Sequence, residues 1–371
     1  MSALARTLTI LGRLVAFDTR NPPRVIDGAG IFNYLRGELA ICGLRGELVD
    51  LGDGCLYLLA TRGAPDLLIN IHIDTVPADP AWADDPLQLH VTDDRAIGLG
   101  ACDIKGAVAC LLTALAATTG PIAVLLSSDE EAGSSRCVRT FLERHTFAQV
   151  LVAEPTRCAA VLEHRGIGTA TAEFTGVGGH ASAARAHHDS AVHEAVRWAG
   201  RALDHAALDR GEGPLRGLRL NLGAIDGGLK ANMIAAHARV RLGVRPPPEL
   251  PPHAALAELA ALAPDPSRLT FTPGFLAPPL PAGGPARLAD ARRDAHALAT
   301  RLGLEIGPPV DFWTEAALFS EAGATALVYG PGDIAQAHTA GEWVALTDLV
   351  KATADYHRIL SSHGGRLALD A

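Results

Sequence analysis

The sequence predicts an α/β fold, a mostly parallel sheet flanked by helices, interrupted by a smaller inserted α+β domain. Three observations lead there. Apolar runs at 67–73 (interrupted by Asn70 and His72), 122–126, 150–153 and 326–329 carry or are followed by His, Asp or Glu, the last after a Gly-Pro turn. Helical patterns alternate with those runs up to about 165 and resume from Pro285. Between them, around 238–245, the pattern becomes an alternation of period two.

Ile31, Leu35 and Leu39 fall four apart, which is one face of a helix. Leu67-Leu68-Ile69-Asn70-Ile71-His72-Ile73-Asp74 is closed by Thr75-Val76-Pro77 and reads as a buried parallel strand. Gly106 to Ala117 is rich in Ala, Leu and Val, as a buried helix is. Ile122–Leu126 and Val150–Ala153 are further buried strands, running into Asp129-Glu130-Glu131 and Glu154-Pro155. Alternating strands and helices imply a parallel sheet covered by helices.

The pattern changes near Arg165. Residues 166–175 alternate loosely, and Asp189 is placed to cap a helix carrying Val192, Val196, Ala199 and Leu203 on one face. Ala238, Val240, Leu242 and Val244 alternate with Arg239, Arg241 and Arg245, as in a strand with one dry and one wet face. Prolines at 278–281 read as a return linker. The expected division is a discontinuous domain, 1–165 plus 278–371, around an insertion at 166–277.

The composition narrows the function. A chain of 371 residues suits two domains. The net charge of −9 and the lack of a basic stripe argue against nucleic acid. Six cysteines without a C-x-x-C pair read as reduced thiols of a cytoplasmic protein. Met1 to Ala16 carries Arg6 and Arg13 and lacks an uninterrupted apolar core, so neither a secretory signal nor a membrane span is expected there. Gly-x-Ser-x-Gly, a phosphate loop and His-Glu-x-x-His are missing.

The chemistry lies at the strand ends. Imidazole and carboxylate are costly to bury without partners, and open α/β sheets bind ligands outside the carboxyl ends of their strands. His72, Asp74, Glu130, Glu131, Glu154 and His338 all follow such strands. Gly98-Leu99-Gly100 invites a dinucleotide reading, but Asp103 stands where the third glycine belongs and would repel a pyrophosphate. Asp103 suits a cation instead, and its two oxygens suit a bridge between two. Neighbouring side chains of an extended segment point opposite ways, so one of Glu130 and Glu131 can bind metal while the other carries a proton. The mixed nitrogen and oxygen donors suit zinc, with cobalt or manganese able to replace it. Cys102 reads as packing, His187 and His188 as surface residues, and Arg239 and Arg241 as the wet face of their strand.

His72-x-Asp74-Thr75-Val76-Pro77, Gly98-x-Gly100-x-x-Asp103-x-Lys105-Gly106, Asp129-Glu130-Glu131, Glu154-Pro155-Thr156 and Ala337-His338-Thr339, in this order, resemble the signature of a di-zinc metallopeptidase family. Acetylornithine deacetylase, succinyl-diaminopimelate desuccinylase, aminoacylase and glutamate carboxypeptidase are members. Phe17-Asp18-Thr19-x-Asn21-Pro22-Pro23 resembles the family's opening, and Gly178-Gly179-His180-Ala181-Ser182 and Asn232-Met233-Ile234 resemble its insertion-domain motifs.

The resemblance implies a zinc-peptidase-like catalytic domain and an inserted domain serving as lid and homodimer interface. It implies two divalent metal ions, one held by His72, Asp103 and Glu154, the other by Asp103, Glu131 and His338. Asp74 would accept a hydrogen bond from His72 and orient it, and the peptide after Asp103 would be cis. Glu130 would be general base and then acid. His180, from a partner subunit, would stabilise the oxyanion, and Arg245 with Asn232 would bind the substrate carboxylate. The implied substrate is an N-acetyl amino acid, N-acetyl-L-citrulline in arginine biosynthesis, with acetylornithine as the alternative and peptide cleavage as a third reading. A metal-free binding protein on a decayed scaffold is the reading from another class. Glu315 and Gly341 depart from the residues commoner at their positions in the family.

Overall fold

The computed structural model describes residues 1–23, 26–133, 135–208 and 213–362. The chain forms two compact units. The first comprises Met1–Leu162, Arg292–Pro308 and Thr314–Ala371, of which 363–371 lie outside the described residues. The second comprises Glu163–Ala291 and Pro309–Trp313.

The first unit is built on a six-stranded mixed sheet. Its order is Arg45–Asp50, Leu56–Arg62, Ile122–Ser127, Leu67–His72, Gln149–Val152, Thr325–Val328. The last four run parallel to one another, and the first two are antiparallel additions at one edge. Leu67–His72 and Ile122–Ser127 are buried along their whole length, as central parallel strands must be when helices cover both faces. The edge strand Arg45–Asp50 is largely exposed and carries Arg45, Glu47 and Asp50, charges that discourage pairing with another chain. Every residue of the helix Gly106–Leu115 is buried, against the helices Ala3–Val15 and Leu346–Ser362. The helix Ile31–Ile41 buries Ile31, Phe32, Leu35 and Leu39, the face its spacing indicates.

The second unit is an antiparallel four-stranded sheet ordered Arg219–Gly227, His237–Arg245, Ile167–Thr175, Leu269–Ala277. In His237–Arg245, Ala238, Val240, Leu242 and Val244 are buried, so the period of two is a core face. The helices Ala191–Ala206 and Pro252–Ala260 pack on this sheet. Trp198 is fully buried between them, and its indole N–H donates to Leu259 O at 2.9 Å.

Two expectations for the helix Ala191–Ala206 fail. The helix cap is Ser190, whose hydroxyl accepts from His193 N, while Asp189 ends the short helix Ala186–Asp189 and pairs with Arg185. The buried face is Ala191, Ala195, Trp198, Ala199 and Ala202, leaving Val196 and Leu203 58% and 50% exposed. Trp198 decides the rotation, because burying its large ring against the sheet turns the two aliphatic residues outward. The prolines at 278–281 lie in hydrogen-bonded chain of the second unit. His164 and Leu280 exchange backbone hydrogen bonds, and the Trp313 indole donates to Pro278 O at 2.9 Å. The Arg165 guanidinium donates to Asp311 at 2.6 Å. These bonds give the second unit 163–165, 278–291 and 309–313 in addition to 166–277.

The six cysteines form no disulfide among the described residues, and all but Cys42 are buried. No helix among the described residues is long and apolar enough to cross a membrane.

Candidate metal centre and active site

Three adjacent parallel strands end side by side. His72 closes Leu67–His72 and is in register with Ser127, the last residue of Ile122–Ser127. Glu130 and Glu131 follow Ser127 closely, and Glu154 follows the neighbouring strand Gln149–Val152. The sheet itself therefore delivers imidazole and carboxylates to one edge. Glu130 and Glu131 stand in a turn, not in extended chain, and Gly133 N closes it onto Glu130 O at 2.9 Å.

Asp103 comes from the tight turn Ala101–Lys105, and its peptide bond to Ile104 is cis. Gly100 opens this turn at φ +76°, and a Cβ there would lie 2.7 Å from Thr75 Cγ2, so only glycine fits. His338 reaches in from the loop after Thr325–Val328, with φ +60°.

The Asp103 carboxylate lies between two imidazoles. Its Oδ1 is 3.1 Å from His72 Nε2 and its Oδ2 is 3.3 Å from His338 Nε2. Glu131 Oε1 is 3.0 Å from His338 Nε2, and Glu154 Oε2 is 3.8 Å from His72 Nε2. Ligand atoms of His72, Asp103 and Glu131 all lie within 4.8 Å of one another, a grouping that could hold a metal ion. The structure thus brings His72, Asp103, Glu131, Glu154 and His338 together.

The donor set fits a cation for a specific reason. His72 Nδ1 is 3.0 Å from the carbonyl oxygen of Asp74, which can only accept. Nδ1 therefore carries the ring proton, and in the neutral ring the Nε2 lone pair faces the carboxylates of Asp103 and Glu154. That contact is repulsive until a proton or a metal ion sits between them. The titration behaviour reflects the same crowding. Burial opposes a charge on His72, but Asp103, Asp74 and Glu154 outweigh it and raise its pKa well above the usual value. Asp103 and Glu131 push His338 up to about 10. Burial raises Glu130 and Glu131, and lifts Glu154 to about 7. Asp103 is held low despite its burial, because both imidazoles hydrogen-bond to it.

Asp74 lies beneath this cluster. Its Oδ2 accepts from Asn21 Nδ2 at 3.1 Å and from Glu131 N at 3.0 Å, while Oδ1 is 3.5 Å from His72 Nδ1. The nearer acceptor for His72 is the Asp74 backbone carbonyl; the carboxylate chiefly ties Asn21 to the Glu131 turn.

Sequence reasoning missed Glu342. This buried carboxylate accepts from three backbone N–H groups, those of Gly100, Cys102 and Asp103, each at 2.9 Å. It holds the turn that carries Asp103, and burial pushes its pKa to about 7. Lys105, also buried, donates to Phe17 O at 3.0 Å, and burial lowers its pKa to about 7. Glu315 is buried beside Ser127, whose hydroxyl lies 3.2 Å from Glu315 Oε2, and burial lifts its pKa to about 8.

His180, Asn232 and Arg245 belong to the second unit. The two-residue strands Gly179–His180 and Met233–Ile234 pair, and Ala181 N donates to Asn232 O at 3.0 Å. Asn232 thus sits with His180 and precedes the strand His237–Arg245. Arg245 closes the far end of that nine-residue strand, roughly 26 Å from its start at ~3.3 Å per residue. Within one unit Asn232 therefore keeps company with His180 and not with Arg245.

The chain resembles known proteins along nearly its whole length. Residues 68–362 match peptidase family M20/M25/M40. The chain is 51% identical over 362 residues to the N-acetyl-L-citrulline deacetylase of Xanthomonas campestris pv. campestris, covering 96% of this chain and 98% of that one. It is 35% identical over 393 residues to the acetylornithine deacetylase of Myxococcus xanthus, covering 99% of each. Among solved structures, aminopeptidase PepT from Bacillus cereus shares the fold with TM-score 0.75 at 17% identity, over 97% of this chain and 98% of that one. The YXEP protein of Bacillus subtilis, a dinuclear metal binding peptidase, does so with TM-score 0.67 at 13% identity over 97% of both chains. By its sequence match and its fold, the chain belongs to peptidase family M20/M25/M40.

Proposed function

We propose that this chain is a metal-dependent amide hydrolase that removes the acetyl group from N-acetyl-L-citrulline. The observation that carries the reaction class is the Asp103 carboxylate set between His72 and His338, with Glu131 and Glu154 beside them. The substrate rests on the 51% identity to a citrulline deacetylase across 96% of the chain. Acetylornithine is the second reading, supported by the 35% identity to an acetylornithine deacetylase.

His72, Asp103 and Glu154 would hold one divalent ion, and Asp103, Glu131 and His338 the other. Two imidazoles and three carboxylates suit zinc, and cobalt is the natural replacement. When bound, such ions supply Lewis acidity to an amide carbonyl and to water. Glu130 takes a proton from the attacking water and delivers it to the leaving nitrogen. Water oxygen bonds to the acetyl carbon, the carbon–nitrogen bond breaks, and acetate and the free amino acid leave. His180 donates to the oxyanion formed on the way, and the substrate carboxylate is bound by Arg245 of one chain and by Asn232 of the chain that supplies His180.

We further propose a homodimer formed through the second unit, with His180 and its neighbour Asn232 supplied by a second copy. Two features support it. Arg245 and the His180–Asn232 pair lie at opposite ends of one strand, and Val196, Leu203, Ile225, Leu229 and Met233 are exposed apolar residues of that unit. The proposed setting is an acetylated route to arginine in the cytoplasm.

Steady-state hydrolysis of acetylcitrulline, acetylornithine and a dipeptide panel, with zinc or cobalt supplied, tests the reading. Acetylcitrulline should give the highest kcat/KM. Preference for acetylornithine would shift the assignment to the second reading, and preference for peptides would reject both.

A further inference from the structure

Two hydrogen bonds converge on one ring nitrogen of His180. Ser182 Oγ lies 2.8 Å from His180 Nδ1. The backbone N–H of Ser182 donates to the same nitrogen at 3.3 Å. An amide N–H can only donate, and a neutral imidazole has one donor and one acceptor nitrogen. His180 Nδ1 is therefore the acceptor, and the ring proton sits on Nε2. The opposite tautomer would set a ring N–H against a backbone N–H.

The segment around this contact is itself pinned. Arg185 donates to the carbonyls of Val177 at 3.3 Å and Gly178 at 3.0 Å, and pairs with Asp189. A Cβ on Gly179 would lie 2.3 Å from Arg185 Nη2, so the guanidinium packs on a bare Cα. His180 itself is exposed. The Nδ1 side of its ring is committed to its own chain, and Nε2–H is the edge left for a ligand.

We propose that Ser182 is a positioning residue that locks His180 in the Nε2–H tautomer. This rests on the oxyanion role proposed for His180. In that role the tautomer decides the sign of the interaction: an Nε2–H donates to a developing oxyanion, whereas an Nε2 lone pair repels it.

The test is NMR of the metal-loaded, full-length enzyme carrying ¹⁵N-labelled histidine, with His180 assigned by its loss in His180→Ala. Wild type should show the Nε2–H pattern. Ser182→Ala keeps the 3.3 Å backbone donor and loses the 2.8 Å hydroxyl contact; the weakened lock should admit some of the Nδ1–H form and lower kcat about tenfold, part of the ~10²–10³ an oxyanion donor supplies, with KM and metal content unchanged. Ser182→Thr should restore both the pattern and kcat. An Nδ1–H pattern in wild type overturns the inference, as does a Ser182→Ala enzyme with unchanged tautomer and kcat. Normal kcat in His180→Ala would instead reject the oxyanion role, a failure the tautomer pattern does not share.

Discussion

The backbone N–H of Asp103 donates to the carboxylate of Glu342 at 2.9 Å, across 239 positions of sequence. The oxygen that accepts it also accepts from Cys102 N, and the other accepts from Gly100 N. One buried side chain thus fixes the turn that places a carboxylate between two imidazoles.

Glu342→Ala should therefore weaken metal binding without touching any proposed ligand. Removing a group that orients a ligand costs ~10–100-fold in affinity, and three buried N–H groups lose their acceptor at about 1–3 kcal/mol each. Competition with a chelating dye measures the first effect and urea unfolding the second. Unchanged affinity would separate Glu342 from the metal centre.

Glu130→Gln should retain metal and lose activity. The variant keeps the size of the side chain but cannot accept the water proton, so kcat should fall ~10²–10⁴-fold. Turnover at the wild-type rate would remove Glu130 as the base.

His338→Ala should lower the metal content. Its Nε2 lies 3.3 Å from Asp103 and 3.0 Å from Glu131, the two carboxylates proposed to share its ion. Elemental analysis should find about one ion fewer per chain. Full occupancy would contradict its assignment as a ligand.

Mixing His180→Ala with Glu130→Gln chains should restore part of the activity that each homodimer lacks. Recovery requires that the imidazole and the carboxylate of one working site come from different chains. If mixed preparations stay inactive while heterodimers form, the cross-subunit assignment is wrong.

Trp198→Ala should destabilise the second unit by ~3–5 kcal/mol, as a large buried aromatic does when truncated. Its ring is fully buried and its N–H is bonded to Leu259 O. Denaturant unfolding followed in this variant gives the value directly.

Much of the fold was legible because burial on both faces leaves an unbroken apolar run, as in Leu67–His72 and Ile122–Ser127. The candidate donors were legible because an imidazole at the end of one apolar strand, His72, and a carboxylate just after another, Glu154, stand out against buried surroundings. Glu342 was not legible: its importance lies in three amides of a turn far away in sequence, and no local pattern encodes that meeting. The helix Ala191–Ala206 misled through its valines and leucine, since its buried face is mostly alanine around one tryptophan. Within one chain the length of a strand separates Arg245 from Asn232, a spacing no local sequence pattern reveals.

His72, Asp103, Glu131, Glu154 and His338 are proposed to cage a pair of cations. Titrating metal-stripped enzyme with zinc or cobalt, with isothermal calorimetry as the readout, tests that arrangement most directly. Two ions per chain are predicted for wild type, with both sites weakened in Asp103→Ala, the one residue common to the two. Absence of binding, or Asp103→Ala binding both ions as wild type does, would rule out this cage.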